Sequence, residues 1–293
     1  MQTKRIAIII IASMILSAMV SPLRGGYISL LGLEGIFLSS FVNFILYGVL
    51  TFLVITKMRD KVSSFKVMIA MLLGVSILII PVHIIYFYET LDSLGGLITD
   101  MLGILVGYGV YKVNSKYGKI VLTGVSLAFI FWFAYIGYPM WIHKNSYGSF
   151  TGKMDQKVEN PIVFQSVDGK ILPLSDFNCK YLVLDFWTST CGYCFDAFPK
   201  VQKQYEELKA NKDIELYSVF CMIKERNETP KIGDELLQKR GYTFPRLAID
   251  VKDPVLKEIE VTAFPKVIII TPSGNIVFRG NIESAIRFTR KLK

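Results

Sequence analysis

The rhythm of apolar and polar residues changes near residue 142. Before it, apolar residues come in long runs at about 6–20, 35–56, 67–88, 94–111 and 120–140. Each approaches the ~20 residues that an α-helix needs to cross the hydrocarbon core of a bilayer. The pattern therefore predicts an α-helical membrane bundle of about five spans. The run at 94–111 is the weakest, being Gly-rich and carrying Asp100. The first run follows Lys4 and Arg5 and ends among Ser17, Ala18 and Ser21. It reads as a retained span, with a cleaved signal peptide as the alternative.

After residue 142 the runs shorten. Residues 142–157 are polar, contain Gly148 and Gly152, and read as a linker. Short apolar stretches on either side of Asp168-Gly169 predict a β-hairpin. Buried strands are expected at 181–187 and 214–221, and helices at 192–210 and 229–241. A short strand follows Phe244-Pro245, and a short helix covers 254–260. A second hairpin spans 266–279 and a helix closes the chain at 282–292. Strand–helix–strand followed by a hairpin and a helix predicts a mixed sheet covered on both faces. The domains are then a transmembrane helical region at 1–141, the linker, and an α/β domain at 158–293.

Composition agrees with a membrane part. The 293 residues are 52% hydrophobic, too apolar for one soluble domain. A net charge of +9 raises nucleic acid as a partner. The distribution of the charge argues against it. The stretch 57–66 holds Lys57, Arg59, Lys61 and Lys66 against Asp60, and 112–119 holds Lys112, Lys116 and Lys119 with no acid. The stretch 89–93 has Glu89 and Asp92 and no base. Basic loops stay cytoplasmic. Five spans with the N-terminus inside put 57–66 and 112–119 in the cytoplasm, and 22–34, 89–93 and the α/β domain outside it.

Two ionisable residues, His83 and Asp100, fall within spans, where such groups are functional candidates. The expected topology gives them similar depth, so they pair if the third and fourth helices are neighbours; a plain helix-packing hydrogen bond is the simpler reading. Gly103 and Gly107 suit close helix contact. Trp132, Tyr135, Tyr138 and Trp141 read as an interfacial belt.

The chemistry concentrates in Asp185-Phe-Trp-Thr-Ser-Thr-Cys191-Gly-Tyr-Cys194. A strand here runs into two cysteines at the start of a helix. Free N–H groups and the helix dipole favour a thiolate there. Cys191, the more N-terminal, is the expected nucleophile, and Cys194, one turn on, resolves a mixed disulfide. Zinc is the alternative for such a pair, but it needs two more ligands. The other cysteines, Cys179 and Cys221, form no second such pair. Cys221 reads as a small buried residue, with a third-thiol role as the alternative.

With Pro199 in the following helix and Phe264-Pro265 before a strand, residues 158–293 resemble the thioredoxin superfamily, in its membrane-tethered TlpA/ResA-like branch of thiol–disulfide oxidoreductases. The resemblance implies a thioredoxin-like fold and a redox-active Cys191–Cys194 disulfide, with no other cofactor and no metal. It implies that Pro265 is cis and that Phe264 offers its backbone to an extended substrate. Trp187, Gly192 and Tyr193 complete the expected substrate contacts. Asp185 is expected to exchange a proton with Cys194. A multi-pass protein of the plasma membrane follows, acting on protein disulfides on the extracytoplasmic side. Its partners are lipid, client proteins and an external electron donor, because the apolar half has no cysteine.

Two departures leave the direction of electron flow open. Related proteins often carry a glutamate where this chain has Ala197, and Gly192-Tyr193 resembles periplasmic disulfide isomerases. A disulfide isomerase or oxidase is therefore the alternative. So is a membrane transporter or assembly subunit with an accessory domain.

Overall fold

A computed structural model describes residues 2–20 and 38–292, so the loop expected at 22–34 lies outside the described residues. The chain divides into two units, Met1–Asn145 and Ser146–Lys293. The first contains helices α1 (Gln2–Met19), α2 (Asn43–Met58), α3 (Ser64–Ile85), α4 (Phe87–Lys112), α5 (Lys116–Trp132) and all but the last two residues of α6 (Tyr138–Tyr147). A π-helical turn at Leu38–Val42 leads into α2, and another at Phe133–Gly137 joins α5 to α6. Among the described residues, five helical stretches are long and apolar enough to cross a membrane.

Small residues let these helices touch. A Cβ at Gly107 would lie 2.2 Å from the Gly48 carbonyl oxygen, and one at Gly103 would lie 2.5 Å from that of Phe44. Helices α2 and α4 therefore cross backbone to backbone, as the Gly103/Gly107 spacing predicts. Ser63 and Ser115 cap α3 and α5 through the Lys66 and Gly118 N–H groups. Lys57, Arg59, Lys61 and Lys66 flank the turn between α2 and α3, and Lys112, Lys116 and Lys119 flank the turn between α4 and α5.

Three expectations are corrected here. The stretch 89–93 is helical, not a loop: α4 starts at Phe87, directly after a break at Tyr86. Residues 87–93 hold no Gly or Pro, and Glu89 suits the positive end of the helix. His83 is consequently within one turn of the break and Asp100 about four turns beyond it, so they do not share a depth. The His83 ring instead donates from Nδ1 to the Ile79 carbonyl and pairs through Nε2 with Ser93 Oγ. Asp100 is fully buried. Of the expected aromatic belt, Trp132 and Tyr135 are exposed. Tyr138 and Trp141 instead turn inward and donate to the Asp92 and Leu91 carbonyls in the first turns of α4.

The second unit is an eight-stranded mixed sheet with helices. Its elements are β1 (Lys153–Lys157), β2 (Val163–Gln165), β3 (Ile171–Pro173), β4 (Tyr181–Trp187), α7 (Gly192–Leu208), β5 (Ile214–Met222), α8 (Pro230–Gln238), β6 (Arg246–Asp250), α9 (Pro254–Glu258), β7 (Lys266–Ile270), β8 (Asn275–Gly280) and α10 (Ile282–Thr289). The strand order is β1-β8-β7-β4-β5-β6-β2-β3. Strands β4, β5 and β6 are parallel, and β7 and β8 continue the sheet antiparallel on the other side of β4. The β2–β3 hairpin turns at Gly169, whose φ of 79° is costly for any residue with a Cβ.

Residues 142–157 are not a linker: they hold the end of α6 and all of β1, which pairs with β8. Strand β1 is polar because it covers a sheet edge, with Lys153, Asp155 and Lys157 exposed and only Met154 and Gln156 half-buried. Two apolar layers sandwich the sheet. Leu182, Leu184 and Phe186 of β4 enter one layer, and Val183 and Trp187 enter the other, beside α7 and α10.

Candidate redox site

Strand β4 carries the site to its C-terminal end. Side chains alternate between faces along a strand, so Asp185 shares the α7 face with Val183 and Trp187. Beyond Trp187 the chain turns through Thr188, Ser189 and Thr190, and the Cys191 N–H closes the turn on the Thr188 carbonyl at 3.2 Å. Cys191 is the N-cap of α7, and its Sγ accepts the Cys194 N–H at 3.1 Å. The sulfur therefore sits against the unpaired N–H groups of the first turn, where negative charge is stabilised. Cys191 and Cys194 form a disulfide. Cys191 is half-buried, whereas Cys194 has no exposed surface. Only the first sulfur can meet a partner from solvent.

Strand β7 pairs with β4 so that Lys266 lies opposite Phe186. The residues just before β7 therefore reach the same end of the sheet. There the Phe264-Pro265 bond is cis. Phe264 lines an open groove of about 510 Å3 together with Thr188, Thr190, Cys191, Gly192, Tyr193 and Asp196. Tyr193 stands out at 79% exposure. Trp187 is not part of the groove, contrary to its expected role as a substrate contact. It has no exposed surface and packs on Phe198 and Phe220, with ring centroids 5.2 and 4.7 Å away. The alternation of β4 turns it into the core, where it supports Cys194 from below.

Asp185 is 1% exposed, and burial holds its carboxyl up at about 7. Its Oδ1 has no hydrogen-bond partner among the described residues. The same is true of Ser218 Oγ, its register neighbour on β5, and of Trp187 Nε1. Unpaired buried polar atoms are costly, so several together mark a site of chemistry or bound solvent. A buried acid that titrates near neutrality is suited to take and return a proton.

Cys221 faces the opposite layer, fully buried, and burial pushes its thiol well above the usual value. Cys179 is half-buried, with its thiol raised to about 11 chiefly by burial. Neither opens onto the groove.

One contact had no signal in the sequence. Ser189 Oγ donates to Glu228, which lies between β5 and α8, and the Ile223 N–H donates to the second oxygen of that carboxylate at 2.8 Å. The Glu228 side chain is only 5% exposed.

Comparison with known proteins agrees with the fold and the motif. Residues 178–276 match the family model described as Thioredoxin-like, a stretch that includes Asp185, Cys191, Cys194 and Pro265. The C-terminal half is a thioredoxin-like domain. Among curated relatives, the chain is similar to thiol-disulfide oxidoreductase ResA of Bacillus subtilis, 28% identical over 115 residues, covering 39% of this chain and 60% of the relative. It is also similar to ResA of Geobacillus kaustophilus, 28% identical over 144 residues, covering 49% of this chain and 77% of the relative. The chain thus spans about 60% of the length of the Bacillus subtilis relative. Among solved structures, the thioredoxin domain of a thiol-disulfide oxidoreductase from Bacteroides vulgatus is 22% identical, with a TM-score of 0.40 over 47% of this chain and 97% of that one. StoA from Bacillus subtilis is 19% identical, with a TM-score of 0.36 over 46% of this chain and 99% of that one.

Proposed function

We propose that the protein is a membrane-anchored thiol–disulfide oxidoreductase that reduces disulfides of envelope proteins on the extracytoplasmic side. One observation carries the reading: a half-exposed Cys191 at a helix N-cap, disulfide-bonded to a fully buried Cys194 on the Asp185 face of the sheet. The working cycle starts from the dithiol. The Cys191 thiolate attacks one sulfur of a substrate disulfide, forming a mixed disulfide and releasing the other sulfur as a thiolate, which takes a proton. Cys194 then gives its proton to the Asp185 carboxylate and attacks the Cys191 sulfur. This closes the Cys191–Cys194 disulfide and releases the second substrate thiolate. Two electrons reach the substrate, and an external donor must restore them. Gly192, Tyr193 and Phe264 line the path for the substrate chain, and Pro265 shapes it.

Anchoring is supported by the outward face of the apolar helices. Ile120, Val121, Val125 and Phe129 on α5 are all exposed, an arrangement suited to lipid. Orientation is supported by the basic stretches 57–66 and 112–119, which fall at alternate helix junctions.

Trapping tests the reading. A Cys194→Ser variant is expected to accumulate on its clients as a mixed disulfide at Cys191, which mass spectrometry identifies. Absence of any Cys191-linked client, from cells in which the variant is folded and abundant, sinks it. The reduction potential of the pair sets the direction: a value near that of the strongest oxidants, about −120 mV, assigns an oxidase or isomerase instead. A second reading makes the bundle the working part and rests on Asp100, a carboxyl fully buried among its helices. It wins if Asp100→Asn abolishes the cellular phenotype and Cys191→Ser leaves it intact.

A further inference from the structure

The turn that presents Cys191 is held from outside α7. Cys191 closes it through its N–H on the Thr188 carbonyl, and Ser189 is its first central residue. The Ser189 hydroxyl donates to Glu228, 39 residues later in the chain. Glu228 is itself fastened. Its second oxygen accepts the Ile223 N–H at 2.8 Å, and Arg226 Nε lies 4.0 Å away. Asn227, at φ 55°, reverses the chain just before it, a conformation that Asn tolerates better than most residues. The result is a nearly buried carboxylate, held through both oxygens, that serves the loop of the nucleophile as an acceptor. A charged acceptor with fixed geometry makes a stronger hydrogen bond than a neutral one.

We propose that Glu228 is a positioning residue: through Ser189 it fixes the turn that seats Cys191 as the N-cap of α7 and so sets how readily its thiolate attacks a disulfide. This rests on Cys191 being the nucleophile. The groove itself does not contain Glu228; the residue acts on the reaction only through the 188–190 turn. Reactions at a positioned atom fall steeply with small misplacement. Loss of the Ser189–Glu228 contact is therefore expected to slow Cys191 even where all of it is thiolate.

The test uses the full chain in detergent, reduced, with Cys179→Ser present so that the half-exposed thiol does not contribute. The probe is 5,5′-dithiobis(2-nitrobenzoate). The Cys191 thiolate forms a mixed disulfide with half of the probe and releases one thionitrobenzoate. Cys194 then closes the protein disulfide and releases the second. The rate is read on the high-pH plateau, where Cys191 is fully ionised. Ser189→Ala and Glu228→Gln are each expected to slow it roughly threefold to tenfold. The double variant should be no slower than the slower single, because both remove one contact. Ser189→Thr, which keeps a hydroxyl, should recover most of the rate. Glu225→Gln, on the same loop but paired with exposed Lys252, should leave it unchanged. The proposal falls if the two effects multiply, if only thermal stability changes, or if Glu225→Gln is equally slow. If Glu228→Gln does not fold, the Ser189 pair decides alone. Cys191→Ser separates the two claims: normal release from it overturns the proposed function. A silent Cys191→Ser beside an unaffected Ser189→Ala overturns only the role of Glu228.

Discussion

The helical unit and the sheet unit differ in what they leave on the outside. In the helices, the tight contacts belong to the smallest residues, Gly103 and Gly107, while large side chains such as Val125, Phe129 and Trp132 face outward. In the sheet unit, the largest side chains, Trp187, Phe198 and Phe278, are fully buried, and the polar residues of β1 lie on the outside. Water around the second unit rewards burying apolar surface. Lipid around the first would offer no such reward, leaving close packing as the glue. Against that background the sheet unit breaks its own rule at one end. Asp185, Ser218 and the Trp187 ring nitrogen are buried there without partners among the described residues, on the face that holds Cys194.

The largest expected effect asks which unit does the chemistry. Cys191→Ser should lower disulfide reduction by three orders of magnitude or more (roughly 10³, on the scale of losing a covalent nucleophile), while Asp100→Asn leaves the same assay unchanged. Equal losses in both variants would mean that the comparison divides the molecule in the wrong place. Next comes the buried acid. Its folded value near 7 is raised above the usual 3.8, so its share of stability is complete below about pH 4 and is lost as pH climbs through 7. Asp185→Asn should therefore stabilise the sheet unit at pH 8 by up to about 4 kcal/mol, and the gain should vanish at pH 4. Denaturant melts of the disulfide form at both pH values read this; a gain independent of pH refutes the raised value. The smallest effect probes the outward face of the helices. Val125→Lys near the middle of α5 should oppose membrane insertion by about 3 kcal/mol. Glycosylation mapping or alkali extraction reads it, and unchanged insertion argues that this face does not meet lipid.

Much of the architecture was legible because it follows from period and punctuation. The long apolar runs foretold the helices, and Asp168-Gly169 marked the turn of the β2–β3 hairpin. The cysteine pair announced its own helix start. What is not legible there depends on partners distant in sequence. Strand β1 has no apolar run, since only its pairing with β8 makes it a strand. The start of α4 is hidden in the sequence because Glu89 and Asp92 suggest a loop, although both suit the first turns of a helix. Ser189 and Glu228 belong to no motif and meet only after β5 has brought its far end beside that of β4. The inward turn of Trp187 was implicit in strand alternation, but the aromatic cage that receives it was not.

The position of Asp185 has a consequence for bookkeeping of a different kind. If Asp185 takes the Cys194 proton as proposed, an acid raised to about 7 by burial, on the face that receives the second sulfur, makes the site count protons as well as electrons. Each oxidation of the dithiol must then pass a proton through the interior before it reaches solvent. The acidity of the surrounding compartment becomes a second substrate, and the same pair of cysteines would run at different speeds in environments that differ by a single pH unit.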